Sequence, residues 1–278
     1  MLPALALWRA HLRSWVVASQ DIEVARRVNG ERLVVLGWSR AILMQLAHPL
    51  IAAGVAEHSA FRDGPLVAAA RLRQTVRAML SLTFGDESAR AQTVDRIRGI
   101  HRRVHGRLRQ TVGPFPAGTP YSAEDPELVT WVHVTLLQSV PMIFDALVAP
   151  LPEAEWDRFG LAAMPTAQAI GATDYVPTSR HEVDGYVESM LTGGTLAVGP
   201  DAQSLVAAVL TPAFAVVTGP LARVNRLLTI GLLPGALREQ YGFTWTDAEA
   251  RALRRCTQQI RWLRGHAPDA ISRWRLAR

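Results

Sequence analysis

Lysine is absent from this 278-residue chain, and all 30 of its Lys+Arg positions are arginine, the composition of a GC-rich genome. Cysteine is nearly absent too. The single Cys256 excludes an intrachain disulfide and suits a reducing compartment. No window reaches about 18 uninterrupted apolar residues, the length needed to span a bilayer. The richest stretch, Leu205 to Leu233, is broken by Pro212, Gly219, Pro220, Arg223, Asn225 and Arg226 and reads as buried helices or the wall of an apolar pocket. Arg9, His11 and Arg13 interrupt the run from Leu2 to Val17, so a clean signal-peptide region is missing and a cytoplasmic location is expected. HExxH, CxxC and Rossmann glycine patterns are lacking, which leaves zinc-protease, zinc-ribbon and dinucleotide readings without a motif. Period-two strand runs, internal repeats, low-complexity tracts and long polar linkers are missing as well, so residues 1–278 read as one all-α domain.

What is present is a helical pattern punctuated by strong start and stop signals. A first helix is expected from about Ala4 to Arg27, stopping near Asn29-Gly30, and a second from Trp38 through Pro49 to Ala56. Asp63-Gly64-Pro65 opens a third, which Phe84-Gly85-Asp86 ends. Asp86 then caps a fourth, expected to run to about Arg109. After a turn-rich connection from Thr111, Asp125-Pro126-Glu127 starts a helix predicted to reach Val148 with a kink at Pro141. Ser179 with Glu182, and Thr246 with Glu249, have capping-box spacing and mark two further starts.

The formal net charge is +6, but arginine is spread along the chain, which argues against a nucleic-acid stripe. Only the last segment is dense, with Arg251, Arg254, Arg255, Arg261, Arg264, Arg273, Arg275 and Arg278 against Asp269. It reads as a solvated helix face or as a peripheral membrane contact.

With no cysteine cluster, histidine must hold any transition metal or haem. The eight candidates are His11, His48, His58, His101, His105, His133, His181 and His266. On a continuous helix Arg98, His101 and His105 would share a face. Three readings follow: a semi-exposed basic helix, a His-x3-His metal site, or a haem pocket in which a neutral imidazole binds iron and arginines pair with the propionates. One helix earlier, Arg71 and Thr75 share a face flanked by Gln74. His133, inside the apolar run Trp131-Val132-His133-Val134-Thr135, reads as a buried core histidine or as the runner-up ligand. Capping and turn roles explain His48 and His58.

Taken in order, these clusters resemble a known family. Leu46-Ala47-His48-Pro49, the run Ala53 to Ser59, Phe84-Gly85-Asp86, Ile100 to Gly106, Tyr121 to Leu128, Trp131-Val132-His133 and Leu233 to Gly242 are similar to the MpaB-like and latex-clearing (rubber oxygenase) domain, over roughly residues 25–275. The resemblance implies an all-α fold around a b-type haem and oxygen-dependent cleavage of double bonds in isoprenoid chains. It implies His101 as axial ligand to the haem iron, and Arg71, Thr75 and Arg98 as haem-pocket residues. The latex-clearing members carry a lysine just before that threonine, on the open side of the haem; here Gln74 stands there, bringing hydrogen-bonding capacity but no charge. The expected activity is that of a haem-b-dependent oxygenase using dioxygen or peroxide on a small to medium apolar, unsaturated molecule, with Gln74, Thr75 and Arg71 at the reactive side. The rival readings are a non-catalytic haem or oxygen-binding protein, and a cofactor-free helical protein that binds apolar ligands or membrane surfaces.

Overall fold

The computed structural model describes residues 18–58, 65–210 and 219–277, without the side chains of residues 65–69 and 71. Within them α1 spans Ser19–Asn29, α2 Leu36–Leu46, α3 Pro49–His58, α4 Pro65–Phe84 and α5 Glu87–His101. Two short strands follow, β1 (His105–Arg107) and β2 (Pro120–Ser122). The remaining helices are α6 (Pro126–Leu147), α7 (Glu153–Ile170), α8 (Arg180–Thr192), α9 (Pro200–Leu210), α10 (Gly219–Leu232), α11 (Gly235–Gln240), α12 (Asp247–His266) and α13 (Asp269–Ser272). The fold is all-α, apart from one antiparallel ribbon in which Gly106 faces Tyr121. Most of the expected first helix lies outside the described residues.

The local start signals act as the sequence predicts. Asp86 accepts from the Ala89 amide at 2.8 Å, and Asp125 from that of Glu127 at 2.9 Å. Both capping boxes form, with Glu182 bonded to the Ser179 amide and Glu249 to that of Thr246. Each such cap contributes about 1 kcal/mol.

Two expectations need correction. The helix expected from Trp38 to Ala56 is two helices, α2 and α3, bent by 111° across Ala47-His48. Pro49 cannot donate to the α2 ladder, and its ring would crowd the carbonyl of Gln45, so it opens a new helix instead. The helix expected to reach Arg109 stops at His101, because residues 105–107 pair with residues 120–122.

The centre of the molecule is α6, which is apolar and packs against α2, α7, α8 and α12. Among the described residues it is the one helix long and apolar enough to cross a membrane; α2 and α3 pass the same test only if taken together as a bent pair. Trp131, Val134, Leu137, Val140 and Phe144 of α6 join Leu43 and Met44 of α2 in the main core. Each large side chain contributes about 1.5–3 kcal/mol by leaving water. The α2–α6 contact is close at Gly37, where a Cβ would sit 2.8 Å from the Ser139 carbonyl oxygen.

A buried polar seam crosses this contact. Arg40 donates to the Leu232 carbonyl at 2.6 Å, to Ser139 Oγ at 2.6 Å and to Gln138 Oε1 at 2.8 Å, and Gln138 in turn donates to Asp184. Burial lowers the Arg40 pKa to about 10, leaving it cationic at neutral pH. The apolar stretch Leu205 to Leu233 divides into α9 and α10, with residues 211–218, including Pro212, outside the described residues. Leu205, Val209, Leu228, Ile230 and Leu233 are core.

Candidate functional site

His101 closes α5. Asp86 caps the start of this helix, and the turn Arg102–Val104, in which the Val104 amide donates to the His101 carbonyl, leads into the ribbon. His101 is half-buried, and its Nδ1 is buried without a hydrogen-bond partner. Burial lowers its pKa, against the opposing charge of Glu124, so the ring is neutral at neutral pH. A neutral imidazole with an unsatisfied buried nitrogen is chemically able to ligate a metal. Arg98, one turn earlier on the same helix, is exposed.

His105 lies in β1 rather than on this helix, so the continuous Arg98–His101–His105 face does not exist and the His-x3-His site loses its geometry. No group of three His, Cys, Asp or Glu side chains suited to a metal ion occurs among the described residues.

The second cluster lies on α4. Leu72, Val76 and Met79 turn towards the core, while Gln74 and Thr75 are exposed; the Arg71 side chain is outside the described ones. The hairpin of α4 and α5 is registered by Ser81 Oγ, which meets the Ala89 carbonyl at 3.1 Å and Thr93 Oγ1 at 2.9 Å. Counting outward at equal rise per residue puts the turn holding Gln74 and Thr75 at the level of Arg98. By this count the two predicted clusters fall at about the same distance from the turn that joins α4 to α5.

His133 lies in the N-terminal half of α6. Part of the residue reaches the surface, but its Nε2 is buried without a partner, and burial lowers its pKa to about 4. It shares this orphaned state with Trp131 Nε1 two residues earlier.

A further constellation is assembled only by the fold. Tyr121, 5% exposed, donates to Glu57 at 2.6 Å and approaches His58 Nε2 at 3.3 Å; that nitrogen also lies 3.1 Å from the His105 carbonyl. Burial, then the bond to Glu57, raises the Tyr121 pKa, so it stays a donor. This clasp fastens α3 to the ribbon directly after His101. It packs so tightly that a Cβ on Gly106 would lie 2.5 Å from Tyr121 Oη. Tyr121 stood in a recognisable motif, but its partners are more than 60 residues away in sequence.

An open groove of about 650 Å³ runs between α9 and α10, lined by Val206, Ala207, Leu210 and Ala222, with Gln203, Arg223 and Arg226 at its polar side. Four apolar side chains line it and two arginines edge it, while the larger side chains of the same stretch are buried in the core.

No curated protein and no solved structure matches the chain. Residues 25–262 match the family model described as ER-bound oxygenase mpaB/B′/rubber oxygenase, catalytic domain. That match covers most of the sequence and includes both helical clusters, the ribbon and His133, and the chain belongs to this family of oxygenase catalytic domains.

Proposed function

We propose that the chain is a haem-b-dependent oxygenase acting with dioxygen or peroxide on a small to medium apolar, unsaturated substrate. The observation that carries the reading is the His101 imidazole, held neutral at the end of α5 with a buried nitrogen that no protein group satisfies. Such a nitrogen costs about 1–3 kcal/mol while unpaired, and ligation to iron removes that cost. The residues fit the group. His101 would hold the iron, Arg98 and Arg71 would offer cations to the propionates, and Thr75 would offer a hydroxyl. Haem would bring redox-active iron; the protein's part is to hold it and to govern what reaches it.

Gln74 carries the open-side role. Its amide can donate or accept a hydrogen bond but adds no charge, so it orients a polar ligand without the field an ammonium would supply. With no lysine in the chain, rubber-type cleavage is not the assigned reaction. His133 is the second ligand reading, favoured by its own orphaned Nε2.

Purification from haem-fed cells tests the proposal. The expected result is about one b-type haem per chain with a Soret band, and substrate oxidation with oxygen and a reductant, or with peroxide. Weak, non-saturable haem uptake would remove the reading. Stoichiometric haem without turnover would leave a haem-binding protein.

A further inference from the structure

The basic C-terminal segment contains two kinds of arginine. Arg264 bonds Glu31 through Nε and Nη2, both at 2.7 Å, Arg273 lies 3.7 Å from the same carboxylate, and Arg261 donates to the carbonyls of Asp145 and Ala146. These three fasten α12 and the tail to α6 and to the turn after α1. Arg251, Arg254, Arg255 and Arg275 are exposed and form no ion pair among the described residues.

The exposed arginines lie where α12 is also apolar. Leu253 and Ile260 turn inward against the Leu228 cluster, and Arg264 follows them. At 100° per residue, Arg251, Arg255 and Trp262 then fall on the opposite side of the helix. No residue of α12 is fully buried. Trp262 is 63% exposed, Leu263 beside it 58%, and the His266 ring lies 4.4 Å from the indole. Ile271 and Leu276 extend the exposed apolar surface into the tail. From Asp247 onward the chain carries eight arginines against three acidic residues, five of its six net positive charges.

A solvated helix face does not need an exposed tryptophan next to leucine, and a face made for a protein core would not carry unpaired arginines two turns away. An indole that shares one outward helix face with two guanidinium groups suits the boundary between water and acyl chains, where ring and arginine stems enter the apolar layer and the charges meet lipid phosphates. We infer that the outward face of α12, centred on Arg251, Arg255 and Trp262, docks the protein on an anionic lipid bilayer. The contact is peripheral, and it delivers an apolar-substrate enzyme to the phase in which such molecules dissolve.

The test is co-sedimentation of the full chain with vesicles of phosphatidylcholine alone or with about one-third phosphatidylserine. Wild type should bind the anionic vesicles at least about tenfold more strongly than the neutral ones, with the difference lost at high salt. Each arginine near such a surface is worth about fivefold, so Arg251→Gln with Arg255→Gln should weaken partition roughly 25-fold. Trp262→Ser should weaken it further and remove a blue-shifted component of the emission. Arg90→Gln with Arg96→Gln removes the same charge from exposed positions on α5 and should leave binding unchanged. Equal loss in both double variants, or no preference of wild type for anionic vesicles, would overturn the assignment; far-ultraviolet circular dichroism confirms that each variant is folded.

Discussion

Acidification from pH 7 to 5 should destabilise this fold through His48 before its carboxylates titrate. His48 is 4% exposed at the corner between α2 and α3, its ring 5.3 Å from that of Phe115, its Nδ1 accepting from the Leu50 amide at 3.3 Å. Burial lowers its pKa from 6.5 to about 4, against the opposing charge of Asp125. The unfolded chain therefore takes up this proton near pH 6.5, but the folded chain only near pH 4. The stabilisation is complete above 6.5 and is lost progressively as pH falls towards 4. Between pH 7 and 5 the loss comes to about 2 kcal/mol, a large part of the roughly 5–15 kcal/mol that holds a domain together. The test is urea unfolding at both pH values, followed by circular dichroism, of wild type and His48→Asn. Asparagine does not titrate, and its Oδ1 can accept from the Leu50 amide ahead of Pro49. His133, with a similar depression, contributes in parallel to both proteins, so the difference between them isolates His48. Wild type should lose about 2 kcal/mol more than the variant over this interval. Equal losses would show that His48 is not held neutral by burial.

His101→Ala should abolish stable haem binding while His133→Ala leaves most of it, as read from the Soret band with helical circular dichroism intact; the reverse result would move the iron to His133. Gln74→Lys should change the ferric or ferrous spectrum without unfolding the protein, since the turn of α4 that holds it lies level with Arg98. Spectra identical to wild type would place Gln74 away from the haem. Gly106→Ala should cost about 1–3 kcal/mol in urea unfolding, because the new Cβ would lie 2.5 Å from Tyr121 Oη and Glu57 restrains the tyrosine from retreating. An unchanged midpoint would mean that the clasp yields freely. Titration of the haem protein with isoprenoid alcohols or fatty acids should shift the Soret band for at least one apolar class, whereas a response only to hydrophilic compounds would contradict the substrate assignment.

By itself the sequence determined what depends on neighbours within a turn or two. Asp86, Asp125, Ser179 with Glu182, and Thr246 with Glu249 each satisfy amides two or three residues away, so the starts of α5, α6, α8 and α12 were legible without a fold. The ordered motifs from His48 to His133 were legible as a family pattern for the same reason, each being a short run whose meaning does not wait on packing. Tertiary structure decided the rest. Helix propensity alone carries α5 on towards Arg109, but the pairing of residues 105–107 with 120–122 ends it at His101, and with that ending His105 leaves the face it would have shared. The lowered pKa of His48, His101 and His133 also arises only on folding, because desolvation depends on which distant side chains displace water from the ring. The arginines divided in the same way: the eight after Asp247 look alike along the chain, and only the positions of Glu31 and of the Asp145 and Ala146 carbonyls, each more than 100 residues earlier, separate Arg261, Arg264 and Arg273, which fasten the last helix and the tail, from Arg251, Arg254, Arg255 and Arg275, which face outward.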